Sequence, residues 1–172
     1  MARVAALMKA WAKVRGEEKR ERARWAAAGH LHDALRDADL KELKDGLGSL
    51  GEELPPKVLH GPAVARRLRG EGVGDEEFLH ALAFHTLGSP AFGSLGMALY
   101  AADFLEPGRR LKDDWRRELR KRAPSDLDRV VLEILQARIQ HLLERGRPLR
   151  GETIAFWNRM AEGQSWASAS EL

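Results

Sequence analysis

The stretch SLGMALYAADFLEP, residues 94–107, decides the fold. Leu95, Met97, Ala98, Leu99, Tyr100, Ala101 and Ala102 leave a helix no polar face before Asp103, and Phe104 and Leu105 follow it up to Pro107, which stops the helix. A helix that is apolar nearly all round belongs at the centre of a domain, with other helices laid against it. The flanking segments supply those helices. Each follows the 3.6-residue rhythm of a one-sided apolar stripe, and alternation of period two is nowhere sustained over a strand's length. The reading is therefore an all-α, single-domain helical protein.

Working outward toward the N-terminus, Asp75 caps a helix through Phe78, Leu79, Ala81, Leu82 and Phe84 to His85 and Thr86, with a loop over 87–93 before Ser94 opens the central helix. Gly61 and Pro62 mark another helix start, carried by Ala63, Val64 and Leu68 to Gly70. Glycines and prolines multiply between Asp37 and Pro56 around Leu40, Leu43 and Leu47, which predicts one or two brief helical turns in a long connection. A first stripe of Val4, Leu7, Met8, Trp11 and Val14 ends at Gly16, and a charged stretch from Glu17 leads into Trp25, three alanines, Gly29 and His30 to Asp33. Toward the C-terminus, 112–122 reads as a basic surface helix and Ser125 as the cap of a long amphipathic helix to about Arg145. A basic turn over 146–151 leads to a last helix with Trp157 and Asn158. The domain spans 1–162, and 163–172 reads as a loose tail.

Composition removes several function classes. The chain has 172 residues and no cysteine, so disulfide scaffolds and metal thiolate sites are excluded. Charged residues make up 32%, and no apolar run nears the roughly 20 residues a membrane span needs, so the expected location is the cytoplasm. The 29 basic and 26 acidic residues leave +3, an excess that suits phosphate ligands and does not by itself establish nucleic-acid binding.

Chemistry enters with residues that are out of place. A carboxylate at Asp103, in the most apolar helix, costs several kcal/mol unless a cation or donors satisfy it. Either a structural ion pair with Arg109 or another arginine, or a metal or ligand, meets that need. His85 shares a face with Phe78, Ala81 and Leu82, whereas His80 lies on the far side and His141 off the stripe of its own helix. His32 and Asp33 place a nitrogen and an oxygen donor side by side after Gly29, an interior helix glycine that signals a close approach to the backbone. His60 precedes the Gly61–Pro62 helix start, where free backbone donors favour phosphate. Imidazole and carboxylate together suit Fe, Mn or Zn, and such an ion polarises a phosphoryl oxygen and lowers the pKa of a coordinated water. The set His32, Asp33, His60, His85 and Asp103 is thus phosphohydrolase-like, with arginines 36, 109, 110, 147 and 150 available to bind phosphates.

These residues resemble the YqeK-type HD-domain phosphohydrolases, the symmetrical bis(5'-nucleosyl)-tetraphosphatase family. The likeness runs through GHLHD with His32 and Asp33, LHGPAVA around His60, the string HTLGSP…ALYAADFLEPGR from His85 to Arg109, SDLD at 125–128 and TIAFWN near the end, and covers about 4–160. It implies an HD-type helical bundle with a mononuclear iron site, Mn or another transition metal being possible, in which His32, Asp33 and Asp103 match the ligands. It further implies that Asp33, His60, His85 and Asp103 carry catalysis and that His60, His85 and Thr86 line the phosphate pocket. Arg36 and Arg109 would contact the nucleotide, and a loop containing Arg147, Pro148, Leu149 and Arg150 would close over it.

The implied reaction is metal-assisted attack of water on diadenosine tetraphosphate, giving two ADP. Family members open the first helix with one more histidine ligand. That position falls just before Met1, or at Arg3 in another register, and arginine does not bind a metal. The expectation is a start codon upstream; a diverged member that binds nucleotide with weak or no catalysis is the alternative. Ser89 and Met97 stand where relatives can be basic, implying a less charged phosphate pocket. Asp113, Asp114 and Glu118 among the basic residues of 109–122 favour a solvated face over a nucleic-acid surface, and exposed Trp115 and Trp166 are the candidates for a homodimer contact.

Overall fold

The computed structural model describes residues 1–108 and 113–162 and, among these, contains ten α-helices and no strand. They are α1 (Ala2–Val14), α2 (Lys19–Leu31), α3 (Leu40–Leu47), α4 (Ser49–Glu53), α5 (His60–Gly70), α6 (Glu76–Phe84), α7 (Ser94–Phe104), α8 (Asp113–Arg122), α9 (Leu127–Glu144) and α10 (Gly151–Glu162), with a 3₁₀ turn at Pro56–Val58 before α5. The residues expected as a tail, 163–172, lie outside the described residues. So does Trp166. Among the described residues no helix is long and apolar enough to cross a membrane.

The all-apolar helix is at the centre, as its composition requires. α7 packs against α1, α2, α6 and α9, and Ala98, Leu99, Ala101 and Ala102 are inaccessible to solvent. Trp25, Leu82, Val130, Ile134 and Phe156 complete the same core from α2, α6, α9 and α10. The long connection contains α3, α4 and the 3₁₀ turn. Leu43, Leu47, Leu54, Val58 and Leu59 bury one another there as a second, smaller core against α5.

Local signals explain most boundaries. Asp75 accepts from the Phe78 amide and Asp39 from the amides of Lys41 and Glu42, each satisfying helix-start donors. Ser125 is not the cap of α9. Asp126 holds that position, and the Ser125 hydroxyl instead donates back to the Arg122 carbonyl, closing the end of α8. α6 stops at Phe84, so His85 is its C-terminal cap and Thr86 lies beyond it. Trp115 is only partly exposed, its ring edge-on to Phe104 at 6.0 Å, which removes it as a free aromatic surface.

Two glycines set how closely helices approach. A Cβ on Gly29 would lie 2.5 Å from the Ala5 Cα and 2.7 Å from its nitrogen, so α1 and α2 meet backbone to backbone. At Gly61 a Cβ would stand 2.8 Å from the carbonyl oxygens of both Leu82 and Ala83, which brings the start of α5 onto the end of α6. The first contact lays residues 1–4 over His32 and Asp33, and the second carries His60 to His85.

Candidate metal centre

His32 and His85 occupy equivalent places at the C-termini of α2 and α6. The last carbonyls of a helix lack intrahelical partners, and the end is partially negative, so an imidazole there is well placed to donate backward. His32 Nδ1 lies 3.0 Å from the Gly29 carbonyl and His85 Nδ1 2.8 Å from that of Leu82. These bonds assign the proton to Nδ1 and turn both Nε2 lone pairs toward Asp33, the orientation a histidine metal ligand takes.

Asp33 lies in the turn after α2 and is the hub. His60 Nε2 is 3.1 Å and His85 Nε2 3.7 Å from its Oδ1, His32 Nε2 is 3.4 Å from Oδ2, and Arg36 Nη1 donates to Oδ2 at 2.7 Å. Although His60 Nε2 is near Oδ1, it is misaligned, and that buried oxygen has no hydrogen-bond partner. His60 Nε2 points instead at His85 Nε2, 3.2 Å away, which the Thr86 hydroxyl also approaches at 3.1 Å. With His85 Nε2 an acceptor, His60 and Thr86 are its donors. All three histidines are buried.

Burial pushes the Asp33 carboxyl up, but the three histidines and Arg36 outweigh it and hold the group well below the usual carboxylate range. His85 goes the other way. Its burial lowers the imidazole pKa more than Asp33 raises it, so the ring is neutral near pH 7. An ionised carboxylate with an orphaned oxygen, beside the Nε2 lone pairs of His32 and His85, is a donor set for a divalent cation. Donor atoms of His32, Asp33 and His85 all lie within 4.8 Å of one another. Asp103 joins from the end of α7, its Oδ1 3.9 Å from His32 Nε2. It is not stranded in the core as its apolar helix suggested. Its side chain is 17% exposed and faces a cleft of ≈ 400 Å³ lined also by Met1 to Val4, Arg36 and Glu106.

The chain has relatives among known proteins. A symmetrical bis(5'-nucleosyl)-tetraphosphatase of Staphylococcus aureus is 32% identical over 143 residues, 76% of this chain and 71% of that protein. The chain belongs to that family. The tetraphosphatase of Halalkalibacterium halodurans is likewise 32% identical, over 105 residues that make up 60% of this chain but 55% of that relative's length. In three dimensions this tetraphosphatase-family chain is similar to a predicted HD superfamily hydrolase involved in NAD metabolism from Clostridium acetobutylicum. That likeness has a TM-score of 0.81 and 28% identity over 95% of this chain and 87% of the other. No protein-family model matches the chain.

The remaining residues expected at the site fall in different places. Thr86 is fixed beside the cluster: Arg138 donates to its carbonyl at 2.7 Å, the Thr153 hydroxyl to the Leu87 carbonyl at 2.8 Å, and Gly88, at φ +83°, leaves room for Phe156 where a Cβ would stand 2.3 Å from that ring. Arg109 and Arg110 lie outside the described residues. Arg147, Pro148, Leu149 and Arg150 form the connection from α9 to α10, and no hydrogen bond or ion pair joins them to the cluster; Arg150 approaches Glu152 at 3.8 Å. Ser89 and Met97 are both buried and are not among the residues lining the cleft, and Ser89 bonds to His80 Nε2 at 2.8 Å.

Arg3 sits on the cleft rim, paired with Glu106, where sequence reading considered it only as a replacement for a histidine. Glu106 and Lys57 carried no signal in the sequence. The pairing of positions 3 and 106 is visible only once Gly29 has brought α1 down onto α2.

Proposed function

We propose that the chain hydrolyses dinucleoside tetraphosphates symmetrically, diadenosine tetraphosphate giving two ADP, with a divalent metal, iron in the first place and manganese next. The reading is supported by family membership and rests on one observation above all: the buried, partnerless Asp33 Oδ1 among three inward-facing imidazoles. His32, Asp33 and Asp103 would hold the ion, as oxygen and nitrogen donors suited to Fe or Mn. When bound, it would neutralise phosphate charge and make water nucleophilic at neutral pH.

The chain's own groups supply the remainder. Arg36, 58% exposed and paired with Asp33, swings its free donors toward the cleft and binds a phosphate oxygen. His60 carries its proton on Nε2 and shares it with His85, so it donates to a phosphoryl oxygen when substrate displaces that contact. His85, neutral and anchored to Leu82, holds the ring of His60 in place, and the Thr86 hydroxyl supplies a second donor at the same point.

The direct test incubates diadenosine tetraphosphate with the protein and Fe²⁺ or Mn²⁺ and separates the nucleotides by anion exchange. Two ADP for each substrate consumed, with neither ATP nor AMP, is the expected result. An equimolar mixture of ATP and AMP, or no turnover with either metal, would overturn the proposal.

A further inference from the structure

Two clefts flank Arg36. The first, of ≈ 400 Å³, has Arg3 and Glu106 on its rim over His32, Asp33 and Asp103. The second, of ≈ 450 Å³, runs from Arg36 past His60 to Lys57, over Leu40, Leu43 and Pro56. Arg36 is the shared wall, and the cluster around Asp33 lies beneath it. Each cleft has its own cation away from that wall. Arg3, its side chain 70% exposed, is tethered by Glu106, and the exposed Lys57 side chain makes no hydrogen bond or ion pair with another described residue. Glu106, its side chain 13% exposed, also accepts from the Gly108 amide, so it keeps a partner when Arg3 turns to another anion.

We infer that the two clefts form one track for a linear polyphosphate, with Arg3 and Lys57 binding the phosphoryl groups on opposite sides of the one over Asp33, so that together they select for chain length. The assignment of the bond that breaks rests on the hydrolase reading above; the binding of the anion does not. A bond at the middle of a symmetrical chain can reach the Asp33 cluster only if charged groups extend both ways from it, and a cation waits in each direction. A chain of only two phosphates at the same point leaves one of the two cations without a partner. The apolar floor at Leu40, Leu43 and Pro56 continues the Lys57 side with a surface suited to a nucleoside rather than to further charge.

The test uses the full chain and inorganic tripolyphosphate, with orthophosphate for comparison, by titration calorimetry. Arg3→Met, Lys57→Met and their combination are compared with Lys13→Met, which removes one charge from the separate groove between α1 and α2. All three positions are exposed, and matching melting temperatures verify the fold. Each single track variant should weaken tripolyphosphate about tenfold and the double variant about a hundredfold, with orthophosphate changed less than about twofold and Lys13→Met equal to wild type. The double variant should also lose the wild-type preference for tripolyphosphate over pyrophosphate.

Equal weakening of both anions, no weakening in either variant, or no binding of tripolyphosphate by wild type would overturn the inference. Dependence on Arg3 and Lys57 without turnover of any dinucleotide would leave the track standing and remove the hydrolase reading. Turnover without that dependence would do the reverse.

Discussion

Replacing Gly29 by alanine tests how the first two helices build the cleft. Alanine is the better helix former by roughly 1 kcal/mol, so in an isolated α2 the substitution would stabilise. Here the added Cβ would lie 2.5 Å from the Ala5 Cα, 2.7 Å from the Ala5 nitrogen and 3.1 Å from the Val4 carbonyl carbon. Carbon contacts settle at about 3.5–4.0 Å, and the obstructing atoms are backbone, so α1 must recede by about 1 Å as a body. Overpacking of this kind costs about 1–3 kcal/mol. Taking the upper part of that range, because a helix and not a side chain has to move, the net loss is about 1–2 kcal/mol after the propensity gain. For a domain of this size that lowers Tm by about 2–8 °C. Thermal unfolding followed by circular dichroism reads the sign directly. The Gly29 carbonyl also anchors His32 Nδ1, so metal affinity should fall with Tm. A Tm equal to or above wild type would show that α1 does not approach α2 as described.

Other outcomes follow from single contacts. Asp75 accepts two bonds from Arg24, at 2.6 and 2.8 Å, which hold its carboxyl below the usual range. A group with a depressed folded pKa stabilises above its unfolded value, 3.8, and that contribution disappears as pH falls through the lower folded value. Asp75→Asn should therefore lower Tm at pH 7 and flatten the loss of Tm below pH 4, as thermal scans across pH would show; curves that stay parallel would contradict the assignment. His80→Ala removes the bond to Ser89 and the stacking on Phe84 at 4.6 Å, and should destabilise by about 1–2 kcal/mol in urea unfolding while kcat stays within about twofold, because His80 is outside the cluster.

How much of this was legible in the sequence depended on the range of the interaction. Helix positions follow from periodicity and caps, which are local, and α7 was placed at the centre because no face of it could meet water. His85 was singled out by its face and His32 with Asp33 by adjacency, and both readings led into one cluster because α2 and α6 end beside α7. Gly29 signalled a close approach, but not that the approaching group is the Ala5 backbone. Helix composition makes Asp103 look stranded because it does not show that the last turn of α7 opens on a cleft. Serine and aspartate serve as caps equally well in the sequence SDLD, and only the backbone assigns that position to Asp126 rather than Ser125. The pairing of Arg3 with Glu106 and the two clefts meeting at Arg36 depend on tertiary contacts between distant segments, for which no local pattern exists.

The central claim, that one divalent ion is held where Asp33 and Asp103 converge on His32, is tested most directly by metal stoichiometry. Protein stripped with chelator and titrated with Mn²⁺ should bind one ion per chain, followed by electron paramagnetic resonance of the free ion. Asp33→Asn and Asp103→Asn should each weaken that binding by at least about tenfold, whereas His141→Ala, on an exposed part of α9, should match wild type. Undiminished binding in both aspartate variants would place the ion elsewhere and contradict the account.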